Sequence, residues 1–319
     1  MSSKVRGRRL LGHTLGVGDD VVGRAVNAVL VPPQAERFAS LVGVELDRLV
    51  LNVTGWNKLV LLGPDRVFLF PRSQVGVEWF EREVAVYRAL AGTQLSVVPR
   101  LLGRWEDPEI YPFPFAAVTR LRGKVPAEPE VLVEQLGQAI ACWHELVPPP
   151  LAGARPPAHH DADHHRWLRR ALDPATSAGA AAEAAERLGR ADRGSAWADL
   201  LASAARLGPV LVHGDIHEDQ LLAEDDQLTG IIDWETARVD HPFWDFDLGE
   251  WGTGLWRRSR RDFSALWARG WRAYATTRGL DPDSRPLETA LRLRHALRLL
   301  ADPGDPAVVG TVGEHIADL

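Results

Sequence analysis

Residues 210–237 read VLVHGDIHEDQLLAEDDQLTGIIDWETA and contain two short apolar runs, each of which ends near an aspartate. The first run leads through a His-Gly pair to Asp215, and the second leads directly to Asp233. Gln220 lies between them, and the acidic turn AEDDQLTG separates the two runs. This alternation of apolar runs and turn residues predicts a strand–loop–strand unit. The unit would present two carboxylates and one amide at the ends of its strands.

These side chains suit phosphoryl transfer. An aspartate can orient an attacking hydroxyl and accept its proton, while a second carboxylate and an amide oxygen hold magnesium against nucleotide phosphates. The order His-x-Asp, an amide five residues later, and a second Asp after an apolar strand is also the order of protein kinases. Here the second aspartate, Asp233, opens Asp-Trp-Glu instead of Asp-Phe-Gly.

The segments HGDIHEDQLL, IIDWETA and DHPFWDFDLG resemble the aminoglycoside phosphotransferase family, which is similar to choline, homoserine and macrolide kinases. The resemblance extends upstream through GWNKLVLL, RVFLFPR, EREVAVYRAL, AAVTRLRGK and CWHEL, in the order of the family. It covers about residues 45–250 and is most specific over 210–249. The resemblance implies an enzyme, a small-molecule kinase that uses ATP or GTP with Mg²⁺.

The resemblance also assigns roles residue by residue. Asp215 matches the catalytic base, and His213 supports its loop. Gln220 and Asp233 match the magnesium ligands. Glu83 matches the acid that pairs with a phosphate-binding lysine. A further residue, Asp245, matches an acid that braces the catalytic loop.

Two positions depart from the family pattern. Leu69 stands where the family carries a Lys or Arg, and Gln220 stands where it carries Asn. A leucine cannot contact phosphate, so another cation has to replace it if the protein is active. Lys58 and Arg72 are the candidates, since the chain has only three lysines. The alternative is a catalytically weak, nucleotide-binding pseudokinase.

The order of the patterns predicts an α+β, two-lobed, protein-kinase-like fold. Residues 1–120 form an N-terminal nucleotide-binding lobe, a five-stranded antiparallel sheet with one long helix and an extension over 1–45. Residues 121–319 form a mainly helical lobe with the catalytic loop and the acceptor site. The hinge lies near 119–122, and the nucleotide base is expected on the backbone near Val118 and Arg120.

Bulk properties exclude several classes. The 319 residues carry a formal net charge of −6 without a basic stripe, which argues against nucleic-acid binding. No stretch approaches the roughly 18 apolar residues of a membrane span. The single cysteine, Cys142, fits a reducing compartment, so a cytoplasmic protein is expected. Because Cys142 lies in an apolar helix, we expect it to be buried.

The sequence says less about the phosphate acceptor than about the nucleotide donor. An antibiotic or another secondary metabolite, aminoglycoside-like, is the favoured acceptor; choline, homoserine or a sugar is the alternative. Four acidic residues could attract a cationic acceptor or could serve as surface charge and loop bracing: Glu235, Asp240, Asp247 and Glu250. Six tryptophans of the C-terminal half are expected in the core: Trp234, Trp244, Trp251, Trp256, Trp267 and Trp271. The segment HHDADHH, 159–165, is interpreted as an exposed polar loop.

Overall fold

The structure is a computed structural model that describes residues 29–52, 57–147, 151, 207–246 and 263–283. The loop predicted at 159–165 lies outside these residues, as do two acceptor candidates, Asp247 and Glu250, and two tryptophans expected in the core, Trp251 and Trp256.

The N-terminal lobe is built on a five-stranded, fully antiparallel sheet in the order β1-β2-β3-β5-β4. The strands are β1 Val50–Asn52, β2 Lys58–Leu62, β3 Arg66–Pro71, β4 Leu101–Trp105 and β5 Phe115–Thr119. The sequence prediction of a five-stranded antiparallel sheet is therefore confirmed. A short turn over residues 63–65 joins β2 to β3, as antiparallel neighbours allow.

A helix covers each face of this sheet. Helix α2, Gln74–Leu90, begins at Ser73, whose hydroxyl accepts a hydrogen bond from the Gly76 amide, and packs on one face beside Leu69. Helix α1, Pro32–Val42, packs on the other face through Phe38. Because both faces are covered, β3 is apolar at nearly every position instead of alternating.

Two helices form the described core of the C-terminal lobe. Helix α3, Val133–His144, packs along helix α4, Phe263–Arg278. They approach closely at Gly137, where an added Cβ would lie 2.2 Å from the Gly270 carbonyl oxygen. Cys142 of α3 is exposed, which makes the expectation of a buried thiol wrong: it occupies the solvent side of a helix whose other faces are apolar.

Residues 210–240, which include the stretch quoted at the start, contain two small antiparallel sheets. Strand β6, Val210–Val212, pairs with β9, Arg238–Asp240, and β7, Leu221–Glu224, pairs with β8, Gln227–Ile231. The β7–β8 turn holds two aspartates with positive φ, 50° and 57°, in the left-handed conformation that two-residue hairpins favour. The predicted strand–loop–strand unit is thus a hairpin flanked by the second sheet.

The connection between the lobes runs against this hairpin. Lys124 forms an isolated bridge with Ala223 of β7, and the Thr229 hydroxyl of β8 donates to the Arg122 carbonyl at 2.7 Å. On the N-terminal side, the Ile231 amide donates to the Val97 carbonyl at 2.7 Å. The β7–β8 hairpin therefore contacts both the connection between the lobes and the N-terminal lobe. Within the described part of the chain, no helix is long and apolar enough to cross a membrane.

Candidate active site

Asp245 organises the loop that carries Asp215. Its carboxylate accepts the backbone amides of His213 at 3.1 Å and Gly214 at 2.9 Å. It also accepts the Trp143 indole at 3.0 Å. Burial alone would raise the pKa of Asp245, but its hydrogen bond with His144 and the other donors outweigh burial and keep the pKa low. The prediction that Asp245 braces this loop is confirmed.

His213 is fully buried beneath the loop and does not reach the cleft. Its Nε2 donates to the Ile232 carbonyl at 3.0 Å, and its ring lies against Trp234. Burial lowers the pKa of His213, so the ring is neutral at pH 7. His213 therefore connects the Asp215 loop to the residue that precedes Asp233, a positioning role.

Asp215 lies at the partly exposed mouth of this loop. The Gln220 side-chain amide donates to its Oδ2 at 3.0 Å, and the His217 Nε2 lies 3.9 Å from the same oxygen. Among the described residues, no hydrogen bond to the other carboxylate oxygen, Oδ1, is found, so this oxygen can accept a further donor. The structure brings the predicted base and the predicted amide ligand together.

The residues predicted to hold magnesium suit that ion. The Gln220 Oε1 is a buried acceptor without a hydrogen-bond partner among the described residues, and amide oxygens are ligands that Mg²⁺ takes. Burial alone would raise the pKa of Asp233, but the Lys58 ammonium outweighs burial and leaves the pKa below its ordinary value. Asp233 has a left-handed φ of 69°, which turns its carboxylate out of the strand that precedes it.

Lys58 lies at the centre of an acidic cluster. Its ammonium is 2.5 Å from Glu83 Oε2, 2.6 Å from Asp233 Oδ1 and 3.2 Å from Glu235 Oε2. The residue is only 8% exposed. Burial alone would lower the pKa of Lys58, but the three carboxylates outweigh it and raise the pKa, so the ammonium stays charged. Tyr87 donates to the second Glu83 oxygen at 2.7 Å.

The strand register explains how Lys58 reaches Glu83 although β3 carries Leu69. Val60 of β2 pairs with Leu69 of β3, and Lys58 pairs with Pro71. Because side chains two residues apart share a face, Lys58 and Leu69 project from the same side of the sheet, toward α2. Leu69 itself is buried in the apolar core beside α2. A lysine one strand over therefore reaches Glu83 without disturbing that core.

The other predicted nucleotide contacts are placed differently. The Nε of Arg72 donates to the Lys58 carbonyl at 3.3 Å, so this contact supports Lys58. Val118 is buried in β5, and the backbone amide of Arg120 donates to Asp65 at 2.9 Å. That Arg120 donor is already used within the sheet. Val118 and Arg120 stay predictions as contacts of the nucleotide base.

Sequence reasoning missed one member of the cluster. Glu235 was a candidate for an acceptor pocket, yet its carboxylate contacts Lys58 and Asn57. A carboxylate two residues after the predicted metal ligand Asp233 was the available signal. Asp240 is fully buried and accepts from Arg238 at 2.8 Å, so it braces β9 instead of lining a pocket. Of the six tryptophans expected in the core, the four that lie among the described residues are buried: Trp234, Trp244, Trp267 and Trp271.

With this geometry in place, comparisons with known proteins are informative. Residues 57–309 match the sequence profile of the Phosphotransferase enzyme family. The chain belongs to this family. The match begins at the Asn57–Lys58 corner and includes Asp215, Gln220 and Asp233. A comparison with curated protein sequences finds no significant match.

Solved structures of the family share the fold. ADP-bound aminoglycoside phosphotransferase APH(2'')-Ib is 16% identical, with a TM-score of 0.56 over 90% of this chain and 97% of that one. Macrolide 2'-phosphotransferase MphH from Brachybacterium faecium is 22% identical, with a TM-score of 0.54 over 90% and 99%. The streptomycin–ATP complex of APH(2'')-IIa is 14% identical, with a TM-score of 0.55 over 91% and 97%. These likenesses confirm the two-lobed, kinase-like α+β fold.

Proposed function

We propose that this protein transfers the terminal phosphate of ATP or GTP to a hydroxyl of a small molecule. The observation that carries the proposal is the buried Lys58 ammonium between Glu83 and Asp233. A lysine paired with a helix glutamate beside a metal-binding aspartate is what kinases use to orient phosphates. Lys58 therefore offers the cation that the sequence lacks at Leu69, which favours an active enzyme over a pseudokinase.

In this proposal the acceptor hydroxyl lies against Asp215, which takes its proton as the oxygen forms a bond to the terminal phosphorus. The bond from that phosphorus to the bridging oxygen breaks, and a nucleoside diphosphate leaves. Lys58 orients the phosphates, and Gln220 keeps Asp215 in place. Asp233 and Gln220 would hold magnesium, which when bound neutralises phosphate charge. The rate gain comes mostly from positioning and charge neutralisation.

We infer the acceptor class from the relatives. Similar structures include APH(2'')-IIa with streptomycin and ATP, aminoglycoside 2'-phosphotransferase-IIIa with GDP, and a macrolide 2'-phosphotransferase. An antibiotic or antibiotic-like secondary metabolite is thus the first acceptor class to screen, with both ATP and GTP as donors. A metabolite panel with choline, homoserine and sugars tests the alternative.

Asp215→Asn tests the proposed chemistry. The amide cannot accept the hydroxyl proton, so we expect turnover to fall by about 10²–10⁴-fold while nucleotide affinity stays within about twofold. Turnover is followed as nucleoside diphosphate release with the acceptor found in the screen, and affinity by calorimetry with Mg²⁺. Asp219→Asn, four residues along the same loop and exposed, is the matched control. Equal turnover in Asp215→Asn and the parent would contradict the assignment.

A further inference from the structure

Glu235 connects the two lobes at the phosphate-binding lysine. Its Oε1 accepts the Asn57 side-chain amide at 2.7 Å, and its Oε2 lies 3.2 Å from the Lys58 ammonium. Its backbone carbonyl accepts from Arg82 of α2 at 3.2 Å. Asn57 and Lys58 belong to the N-terminal lobe, whereas Glu235 follows Asp233 in the C-terminal lobe. One carboxylate thus uses both oxygens on two consecutive residues of the other lobe.

The strand end that carries Lys58 has little other support from the sheet. Lys58 is the first residue of β2 and pairs with Pro71, which has no backbone N–H to donate to that rung. The Asn57 carbonyl accepts the Arg72 amide at 2.8 Å and lies against Gly76, where an added Cβ would be 2.7 Å away. The backbone of this corner is therefore fixed from one side, and Glu235 fixes its side chains from the other.

Because Lys58 lies at the end of a strand, it needs the contact with Glu235 most when its other carboxylate partners change. Three carboxylates face the Lys58 ammonium. If Asp233 is taken up by magnesium with the nucleotide, its contact with Lys58 is given up. Glu83 and Glu235 then remain to hold the ammonium, and Glu235 alone among them also holds Asn57.

We propose that Glu235 is a positioning residue for phosphoryl transfer, which fixes the Asn57–Lys58 corner so that the lysine faces the nucleotide phosphates. Glu235 has this role because the lysine lies at the start of β2, whereas the family pattern places its cation on β3, at the position of Leu69. This inference rests on the proposed function, because it assumes that Lys58 contacts nucleotide. Glu235 itself touches neither the acceptor nor the reacting atoms in this role.

The test measures binding of Mg·ATP and Mg·GTP by calorimetry to the full chain. Glu235→Gln keeps an oxygen for Asn57 but removes the negative charge that faces the Lys58 ammonium, and we expect its nucleotide affinity to fall about tenfold. Asn57→Ala reaches the same contact from the other lobe, and we expect a loss of about fivefold. Glu224→Gln, on the exposed end of β7, is the matched control and keeps wild-type affinity.

A double-mutant cycle separates positioning from a general loss of structure. Glu235→Ala and Asn57→Ala should be strongly non-additive, because each removes the same hydrogen bond, so the double variant binds nucleotide about as weakly as Glu235→Ala. Independent, multiplying effects, or an unchanged affinity in Glu235→Gln, would overturn this inference alone. A wild-type protein that binds neither nucleotide would overturn the proposed function together with it.

Discussion

Replacing Lys58 by methionine tests the acidic cluster directly. The substitution keeps the length of the side chain and removes the ammonium from between Glu83, Asp233 and Glu235. Breaking a fully buried ion pair by removing one partner costs about 3–5 kcal/mol. The Asp233 side chain is 36% exposed and recovers hydration, so the lower end of that range applies here. We expect Lys58→Met to lower the free energy of unfolding by about 3 kcal/mol.

The loss of stability should depend on pH in a defined direction. Burial and Asp233 already raise the pKa of Glu83 against the opposing effects of Lys58 and the Tyr87 hydrogen bond, and removing Lys58 takes away the larger of those two opposing effects, so the pKa rises further. A carboxyl with a raised folded-state pKa contributes stability below its unfolded pKa of about 4.3 and loses it as pH rises through the folded value. The wild-type lysine, whose folded pKa is raised, keeps its contribution until well above neutral pH. The difference between variant and wild type should therefore widen from pH 5 to pH 8.

Thermal unfolding across pH 5–8 measures both effects. For a chain of this size, about 3 kcal/mol corresponds to a fall in Tm of roughly 8 °C at pH 7.5. Lys124→Met, at an exposed position of the connection between the lobes, is the control and should stay within about 1 °C. A Lys58→Met protein with wild-type Tm at every pH would refute the reasoning, because the ammonium would then not be engaged with the carboxylates.

Two further predictions concern the loops around the cluster. Gln220→Leu removes the amide oxygen that has no partner among the described residues. In calorimetric titrations, the Mg²⁺ concentration that half-maximally supports nucleotide binding should rise about tenfold. Gln227→Leu, at an exposed position, is the control and should leave that concentration unchanged. Asp245→Asn weakens the anchor of the Asp215 loop and should cost about 2 kcal/mol in urea unfolding at pH 7. Because the folded pKa of Asp245 is lowered, its contribution is present above about pH 3.9 and lost as pH falls further, so the deficit of Asp245→Asn should shrink in acid; a deficit that grows there would contradict this.

The fold was predictable because its signals are local. Alternating turns and apolar runs gave the five strands, and residues 210–237 gave the hairpin with its two carboxylates. The packing of α1 on the sheet face opposite α2 was harder to predict, because an amphipathic pattern does not determine which surface a helix packs on. The exposure of Cys142 was mispredicted for the same reason: its helix is mostly apolar, and the orientation of one residue depends on where α4 packs.

The sequence could propose the candidate site as a set of residues but not as a set of contacts. Sequence spacing selected Asp215, Gln220 and Asp233, because all three lie within one continuous stretch. The sequence left Lys58 and Arg72 as two candidates for the cation missing at Leu69, since the choice between them depends on strand register. The contact of Glu235 with Asn57 joins residues 178 positions apart, and no local pattern encodes such a pairing.

In the proposed function, the Asp215 loop depends on the carboxylate of Asp245, which is synthesised after it. This carboxylate joins the end of α3 to the Asp215 loop, and its contact with Trp143 spans 102 positions of sequence. A growing chain that has not yet emerged past this aspartate has no acceptor for the amides of His213 and Gly214. Partly synthesised or truncated chains would therefore carry the proposed base, Asp215, without the contacts that fix its loop. If Asp215 is that base, the chain would become competent for phosphoryl transfer only after Asp245 packs against Trp143.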